Sequence, residues 1–412
     1  MNSQMKILVN DGVRPSLGVV RSLGRKGIRV GVLAESSFAP VLHSRYCTRQ
    51  YLGPAPESEG FVAAVLDILR REHYDAFIPI GYEATLSCAE HRAELETLTR
   101  VEIMDEAKIR LAADKRHTHE LASAAGVPAP RTVYPASLRD ALARAAELEY
   151  PIVIKPCRET HGETVRYASS PAELPAVYRR FCEEKGFSQD NLPMLQEFIP
   201  GYGCGFFALY QHGVPKRIFM HRRIRENPPS GGVSTCAESF FDPRLKEYGV
   251  RLLDSLKWHG VAMVEFRRDS RDHDFKLMEI NPRFWGSLDL ALAAGVDFPY
   301  DLCQVIQGKQ LEYSEDYHRA IRFHWPFLDL QHVGRRLSSF GAVVRDALHP
   351  SVRSNFWPGD LAPNLFEGLW LARGVARRLK AKVARAFAGP NAGDAKREAI
   401  TVRDIPSKRL AP

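Results

Sequence analysis

Two glutamates and an asparagine could meet on one face of a strand pair in the second half of the chain. Residues 261–280 alternate in a strand-like way on either side of a polar turn centred on Asp272. Glu265 lies seven residues before that centre and Glu279 seven after it, so the two side chains are expected to face one another. Asn281 follows on the same face, because side chains in a strand repeat every two residues. The spacing therefore predicts three oxygen donors in one place.

A divalent cation would explain this arrangement. Opposed carboxylates repel one another and are costly among apolar neighbours, whereas coordination would turn the repulsion into binding. Oxygen ligands suit Mg²⁺, which commonly takes one or two carboxylates together with substrate phosphates. The alternative is that one of these residues points to solvent, or that each pairs with Arg267 or Arg283. Such a metal site implies a phosphate-bearing partner.

Two lysines could supply positive charge to those phosphates. Lys155 ends a short apolar strand, and Lys115 lies on a predicted helix, although each alone could be an ordinary solvated lysine. The loop of residues 157–164 could fold over phosphates with its backbone N–H groups, but it contains a single glycine. Cys157 and His161 in that loop could form a nucleophile and base, yet no third orienting group is evident. A thiol enzyme is therefore the weaker interpretation.

The elements that must position these residues fall into two parts. The first hundred residues alternate strands with helices, which indicates a mainly parallel α/β sheet. Its predicted strands are residues 6–10, 28–33, 76–80 and 101–104, and its predicted helices are residues 16–25 and 61–71. An α+β body follows. Its predicted helices are residues 106–125, 137–148, 171–185 and 243–258, and its predicted strands are residues 152–154 and 194–198 with further strands within residues 205–281.

The order of these motifs resembles the ATP-grasp ligases, especially the carboxylate–amine ligases related to carbamoyl-phosphate synthetase and D-alanine–D-alanine ligase. The resemblance covers about residues 1–320. It implies an α/β and α+β fold in which a parallel-sheet pre-ATP-grasp domain precedes a two-lobed ATP-grasp domain that holds ATP between its sheets. The predicted divisions are residues 1–104, residues 105–320 with the linker helix and both lobes, a helical extension of residues 321–388, and a basic tail of residues 389–412 predicted to be disordered.

The resemblance also implies roles for individual residues. It assigns phosphate contacts to Lys115 and Lys155, the adenine-binding hinge to Gln196, Glu197, Phe198 and Ile199, the ligands of Mg²⁺ (or Mn²⁺ in its place) to Glu265, Glu279 and Asn281, and stabilisation of the transferred phosphoryl group to Arg283. The sequence departs from the family pattern in two places besides the glycine-poor loop. Gly203 stands where an acidic residue normally meets the ribose hydroxyls, and Gln196 stands where glutamate is common.

A second loop, residues 221–235, combines three arginines with a glycine-rich tip. In related ligases such a loop borders the acceptor site, and arginine pairs bidentately with carboxylates. Candidates for binding the substrate carboxylate or acyl phosphate are therefore Arg223, Arg225, Gly231 and Gly232. The alternative is a solvated basic hairpin edge.

Charge and composition restrict the partners. The chain has 412 residues, with 57 lysines and arginines against 49 acidic residues. From Ala372 onward there are 11 basic and three acidic residues, so the rest is close to neutral, which argues against nucleic acid as a partner. Helical spacing of apolar residues within residues 364–387 allows a peripheral membrane contact, with core packing as the alternative. Seven scattered cysteines and no signal-peptide pattern predict a cytoplasmic protein.

These observations predict an enzyme, an ATP- and Mg²⁺-dependent ligase. A small-molecule carboxylate would attack the γ-phosphorus of ATP to form an acyl phosphate, and an amine would then displace phosphate to give an amide and ADP. The alternatives are a kinase or phosphotransferase on the same scaffold, and a non-catalytic ATP-binding regulator associated with a membrane.

Overall fold

The computed structural model describes residues 4–12, 14–158, 165–229 and 231–387. It begins with a sheet of four parallel strands in the order β3–β2–β1–β4, as the alternation of strands and helices predicts. Its elements are β1 (Lys6–Asn10), α1 (Arg14–Arg25), β2 (Arg29–Ala34), β3 (Cys47–Leu52), α2 (Phe61–Arg71), β4 (Ala76–Ile78), α3 (Tyr82–Glu90) and α4 (Arg92–Leu95). The apolar residues of β1 are fully buried, which places this strand in the core of the sheet.

Residues 101–104 do not form the predicted strand. The chain makes one parallel bridge, between Ala76 and Arg100, and then leaves the sheet edge. The Glu102 carboxylate lies 2.7 Å from Nε2 of His259 in the large lobe, so this segment connects two parts of the molecule. A tertiary contact thus overrides the strand-like sequence.

The predicted helix of residues 106–125 is two helices, α5 (Glu106–Ala113) and α6 (Lys115–Ala124). Asp114 between them has an extended backbone, and its side chain accepts a hydrogen bond from the N–H of Arg116, which caps α6. The same carboxylate lies 3.0 Å from Nε of Arg158, and the N–H of Lys115 donates to the carbonyl of Cys157. The break therefore attaches the linker to the segment that follows Lys155.

A small lobe follows, built on a four-stranded antiparallel sheet in the order β5–β8–β6–β7. Its elements are β5 (Thr132–Val133), α7 (Leu138–Arg144), β6 (Ile152–Lys155), β7 (Arg166–Ala168), α8 (Leu174–Lys185) and β8 (Met194–Glu197). The two helices pack on the sheet around Ile152, Ile154, Tyr178 and Phe181, which are buried. The sheet thereby holds Lys155 at the end of β6.

The large lobe is a seven-stranded sheet in the order β13–β12–β9–β10–β11–β14–β15, and its last strand, β15 (Arg353–Ser354), comes from the C-terminal extension. Its elements are β9 (Gly201–Gln211), β10 (Val214–Asn227), β11 (Val233–Ser239), α9 (Pro243–Ser255), β12 (Gly260–Asp269), β13 (Phe275–Asn281), α10 (Leu288–Ala293), α11 (Phe298–Ile306) and β14 (Arg322–His324). Its apolar side chains fill a continuous core with α9, and α9 ends three residues earlier than predicted.

The C-terminal extension contains α12 (Pro326–Arg335), α13 (Phe340–Leu348), β15 (Arg353–Ser354) and α14 (Ala362–Phe387). The extension has no continuous helix from Leu330 to Leu348, because α12 ends at Arg335 and the backbone of Arg336 leaves the helical conformation. Buried ion pairs attach the extension to the rest of the molecule, Arg21 to Asp360 at 2.8 Å and Arg225 to Asp329 at 2.7 Å. Within the described residues, no helix is both long and apolar enough to cross a membrane. The cytoplasmic location stays a prediction.

Candidate functional site

The hairpin of β12 and β13 brings the two predicted carboxylates together. Its register pairs Glu265 with Glu279 and Met263 with Asn281, with a bulge after Glu265. The amide of Asn281 donates to Oε1 of Glu279 at 3.0 Å. The three predicted oxygen donors therefore lie at the same place on the sheet, in the arrangement that the spacing predicts.

Lys115, at the start of α6, reaches this carboxylate pair. Its Nζ lies 3.0 Å from Oε2 of Glu279, and its residue is 9% exposed. Burial by itself would raise the pKa of Glu279, but the Lys115 ammonium and the Asn281 amide outweigh it, so the pKa of this carboxyl lies well below its usual range. Glu279 is therefore ionised at neutral pH.

Lys155 approaches the same charges from the small lobe. Burial and, to a lesser extent, the Lys115 ammonium lower the pKa of Lys155 to about 8, although Glu279 and Glu265 oppose the shift. The charges of Lys115, Glu279 and Glu265 thus act on the Lys155 ammonium, and the N–H of Lys115 donates to the Cys157 carbonyl two residues after Lys155, so the four groups belong to one cluster. The cluster lies where the small lobe, the linker and the large lobe meet.

Glu265 has a different partner, Arg223 of β10. Burial raises the pKa of Glu265 and Glu279 raises it further, whereas Arg223, which contacts its carboxylate, lowers it. Arg223 also donates to the carbonyl of Gly232 at 2.9 Å and lies 3.3 Å from Glu226. The acceptor loop predicted from the sequence is thus connected to the carboxylate pair through one arginine.

These residues fit a hard divalent cation. Two ionised or ionisable carboxylates and an amide are oxygen donors of the kind Mg²⁺ takes, and their mutual repulsion is offset here by Lys115 and Arg223. Among the described residues there is no group of three or more histidine, cysteine, aspartate or glutamate side chains that could hold a metal ion alone. The remaining ligands would come from water and from a phosphate-bearing substrate.

The predicted hinge follows directly from β8. Nε2 of Gln196 donates to Oγ1 of Thr132 at 2.9 Å, the Glu197 carboxylate accepts from Arg271 at 2.8 Å, and the Phe198 ring meets the Tyr167 ring edge-on. The Ile199 carbonyl accepts a 3.1 Å hydrogen bond from Arg267. Arg267 lies two residues after Glu265 on β12, so it joins the hinge to the carboxylate end of the site.

The residues predicted for the acceptor loop lie in different surroundings. Arg225 does not face the cluster, because its guanidinium is buried against Asp329 and Asp346 of the extension. Its place in a substrate site is therefore not supported, for it acts as a structural ion pair. Gly231 lies near the side chains of Tyr167 and Arg267, and an added Cβ would be 3.4 Å from the Tyr167 hydroxyl.

Arg283 lies two residues beyond Asn281 and donates to the carbonyl of Phe284 at 3.1 Å. It lines a cleft between the first domain and the large lobe, together with Glu102 and His259. Its role toward the phosphoryl group stays a prediction.

Cys157 is half-buried and burial raises the pKa of its thiol, which disfavours a nucleophile. His161 and the phosphate-covering loop from residue 159 to residue 164 lie outside the described residues.

One residue of the cluster was missed by the sequence analysis. His119 lies one turn after Lys115 on α6, and its Nδ1 is 2.7 Å from the Tyr134 hydroxyl. Burial, aided by Lys155 and Lys115, lowers the pKa of His119 to about 3, so the imidazole is neutral. The spacing of four from Lys115 was the available signal, since such residues share a helix face.

Comparisons with known proteins agree with this fold. A family model described as ATP-grasp in the biosynthetic pathway with Ter operon matches residues 194–326. Methylcrotonoyl-CoA carboxylase subunit alpha of Mus musculus is 23% identical over 331 residues, which are 76% of this chain but 45% of that protein's length. This chain therefore corresponds to less than half of that relative.

Solved structures show the same architecture. The biotin carboxylase domain of Hydrogenobacter thermophilus 2-oxoglutarate carboxylase, in complex with MgADP, ADP and bicarbonate, aligns with a TM-score of 0.64 and 18% identity over 77% of this chain and 74% of that one. An L-amino acid ligase from Bacillus licheniformis aligns with a TM-score of 0.57 and 17% identity over 76% of each chain. The predicted fold class and the resemblance to the ATP-grasp superfamily are confirmed.

Proposed function

We propose that this protein is an ATP-dependent ligase that joins a small-molecule carboxylate to an amine. The observation that carries the proposal is the cluster at the junction of the two lobes, where Lys115 and Lys155 face Glu265, Glu279 and Asn281. Cations on one side and oxygen donors on the other are what a metal–triphosphate complex requires. The nucleotide complexes and the ligase among the structural neighbours support this interpretation.

The residues of the chain contribute mainly position and charge. The two lysines neutralise phosphate oxygens, and Arg267 orders the hinge that receives adenine. Glu265, Glu279 and Asn281 would hold Mg²⁺, which when bound supplies further neutralisation of the phosphoryl oxygens. A carboxylate oxygen then forms a bond to the γ-phosphorus as the bond to the bridging oxygen of ADP breaks. The amine nitrogen attacks the acyl carbon, loses a proton and expels phosphate.

The acceptor side of the site includes Arg223, Gly231 and Gly232. Arg223 contacts Glu265 and the carbonyl of Gly232, so it places the loop tip beside the predicted metal ligands. A substrate carboxylate or acyl phosphate there would meet a guanidinium group, which binds such oxygens well. Arg225 does not belong to this acceptor side, because it is already paired with Asp329 and Asp346.

A phosphate-release screen of carboxylates crossed with amines tests the proposal, with mass spectrometry of the products. We expect phosphate release that requires both substrates, together with an amide product. The variant Glu279→Gln should lower the rate by about 100-fold or more, since metal-assisted charge stabilisation contributes several kcal/mol. Asp272→Asn is the matched control, because Asp272 lies in the exposed turn of the same hairpin and pairs with Lys276.

Two outcomes would contradict the proposal. ADP formation that needs no amine and gives a phosphorylated product without any amide would identify a kinase or phosphotransferase. Nucleotide binding without turnover across the whole panel would identify a non-catalytic ATP-binding protein. Unchanged phosphate release by Glu279→Gln would remove the metal assignment itself.

A further inference from the structure

A carboxylate from a neighbouring strand occupies the space beside Gly203. A Cβ added at Gly203 of β9 would lie 2.8 Å from Oε1 of Glu226 and 2.9 Å from Cδ of Arg223, both on β10. Contacts this short require a neighbouring side chain to move, so an acidic side chain at position 203 would displace Glu226 or Arg223. Side chains of β10 therefore fill the space that a side chain at position 203 of β9 would occupy.

Glu226 lies near two arginines, one that contacts the predicted hinge and one that contacts a predicted metal ligand. Its Oε2 lies 3.9 Å from Nη1 of Arg267, and Arg267 donates to the hinge carbonyls of Ile199 and Gly201 at 3.1 and 2.7 Å. On the other side Oε1 lies 3.3 Å from Arg223, which contacts Glu265. Glu226 is thus between the proposed adenine site and the proposed phosphate site.

The sugar of a nucleotide connects its base to its phosphates, so it must lie in that interval. We infer that the Glu226 carboxylate accepts hydrogen bonds from the ribose hydroxyls of the bound nucleotide, an inference that rests on the proposed function. An ionised carboxylate has about four acceptor positions, and the long contacts to Arg223 and Arg267 occupy only part of that capacity. The side chain is 12% exposed, which leaves its edge accessible to a ligand.

The inference explains why the sequence lacks an acidic residue where the family pattern normally has one. The carboxylate is present in the fold, but it comes from a position 23 residues later in the chain. The resulting specificity is for ribonucleotides, because a 2′,3′-dideoxy sugar offers no donor to the carboxylate.

Equilibrium binding of ATP and 2′,3′-dideoxy-ATP by the full chain, in the presence of Mg²⁺, tests the inference. We expect the unmodified protein to bind ATP about 10- to 100-fold more tightly, as hydrogen bonds to a charged group contribute about 1.5–3 kcal/mol. In Glu226→Ala the ATP affinity should fall to that of the dideoxy analogue, whose own affinity should change little. Glu238→Ala on β11, which removes a carboxylate paired with Arg222 and Arg322, is the matched control and should keep the preference.

A second pair of variants covers the case in which Glu226→Ala does not fold. Glu226→Gln keeps the volume of the side chain and should still lose most of the preference. The double variant Gly203→Glu with Glu226→Ala removes the contact with Oε1 of Glu226 and leaves only the Arg223 side chain to shift, so the returned carboxylate should restore the preference for ATP. Gly203→Glu alone should not bind normally, because the space is occupied.

The outcomes separate this inference from the proposed function. If the unmodified protein binds ATP but does not discriminate against the dideoxy analogue, or if both Glu226 variants discriminate as well as it does, the ribose assignment is overturned while nucleotide binding stands. If the unmodified protein binds neither nucleotide, the ribose assignment and the proposed function both fail.

Discussion

A single lysine shows how strongly the site depends on its electrostatic surroundings. Lys155 is buried at the end of β6, and its pKa of about 8 reflects burial and the nearby Lys115 more than the attraction of Glu279 and Glu265. Because this pKa lies below the ordinary value of 10.5, folding disfavours the charged form of Lys155. Lys155 therefore lowers the stability of the folded protein below pH 8, and this cost disappears as the pH rises from 8 toward 10.5. Phosphate groups would reverse this balance by favouring the ammonium form.

This balance predicts how nucleotide affinity changes with pH. Above pH 8, ATP must bind to a protein in which Lys155 is largely neutral, so binding takes up a proton. The dissociation constant should then rise by up to about tenfold per pH unit, as measured by calorimetry in buffers of different ionisation enthalpy. Lys155→Arg keeps its charge over this range and should remove the dependence. An identical pH profile in both proteins would contradict the role given to Lys155.

At the scale of elements, the break between α5 and α6 links helix capping to phosphate binding. Asp114 caps α6, pairs with Arg158 and precedes Lys115, whose N–H is held by the Cys157 carbonyl. The helix start is thus attached to the segment that follows Lys155. Lys115 is therefore positioned by contacts that a continuous helix would not allow.

The variant Asp114→Ala tests this coupling. Loss of an N-cap lowers the free energy of unfolding by about 1 kcal/mol, and we expect ATP to bind about fivefold more weakly as well. Ser137→Ala is the matched control, because Ser137 caps α7 in the small lobe by accepting from the N–H of Asp140 without touching the cluster. Denaturant unfolding should show similar losses in the two variants, and equal ATP affinity in both would refute the coupling.

Local sequence patterns predicted those parts of the site that lie on one element or one hairpin. The pairing of Glu265 with Glu279 follows from counting outward from the turn, and Asn281 follows from strand alternation. The helix break at Asp114 did not follow, because it depends on Arg158 and Cys157, which are more than 40 residues away. Strand β3 was missed because its sequence is polar and mostly exposed at the sheet edge. The proximity of Glu226 to Gly203 required the relative position of two strands.

At the scale of the whole molecule, the exposed surface of residues 326–374 in the C-terminal extension combines basic and apolar side chains without exposed acidic ones. Within residues 326–374 all four acidic residues are buried (Asp329, Asp346, Asp360 and Glu367), while all five arginines are exposed (Arg335, Arg336, Arg345, Arg353 and Arg373). The same segment exposes large apolar side chains, namely Leu330, Leu337, Phe340, Val344, Leu348, Phe356, Leu361, Leu365 and Leu369. Phe366 instead stacks on His43, so part of the apolar face predicted for α14 packs on the body.

We propose that this surface contacts anionic lipid, since exposed apolar residues with exclusively basic exposed charges suit such a membrane face. In vesicle flotation the protein should float with phosphatidylcholine containing phosphatidylglycerol and much less with phosphatidylcholine alone. The triple variant Leu337→Ser, Phe340→Ser and Leu348→Ser should lose most of this binding. Leu52→Ser, which changes an exposed leucine of β3, should not. Equal flotation of all proteins would oppose the proposal, and a dimer that only the triple variant loses would assign the surface to self-association.

The central claim is that a carboxylate oxygen attacks the γ-phosphorus of ATP, and isotope transfer tests it most directly. With a carboxylate substrate labelled with ¹⁸O on both oxygens, we predict that the phosphate released carries one ¹⁸O atom for each amide formed, because the oxygen that joins the phosphorus stays with it. Mass spectrometry of the phosphate measures this ratio. Phosphate without label, formed at the same rate as the amide, would contradict the acyl phosphate route.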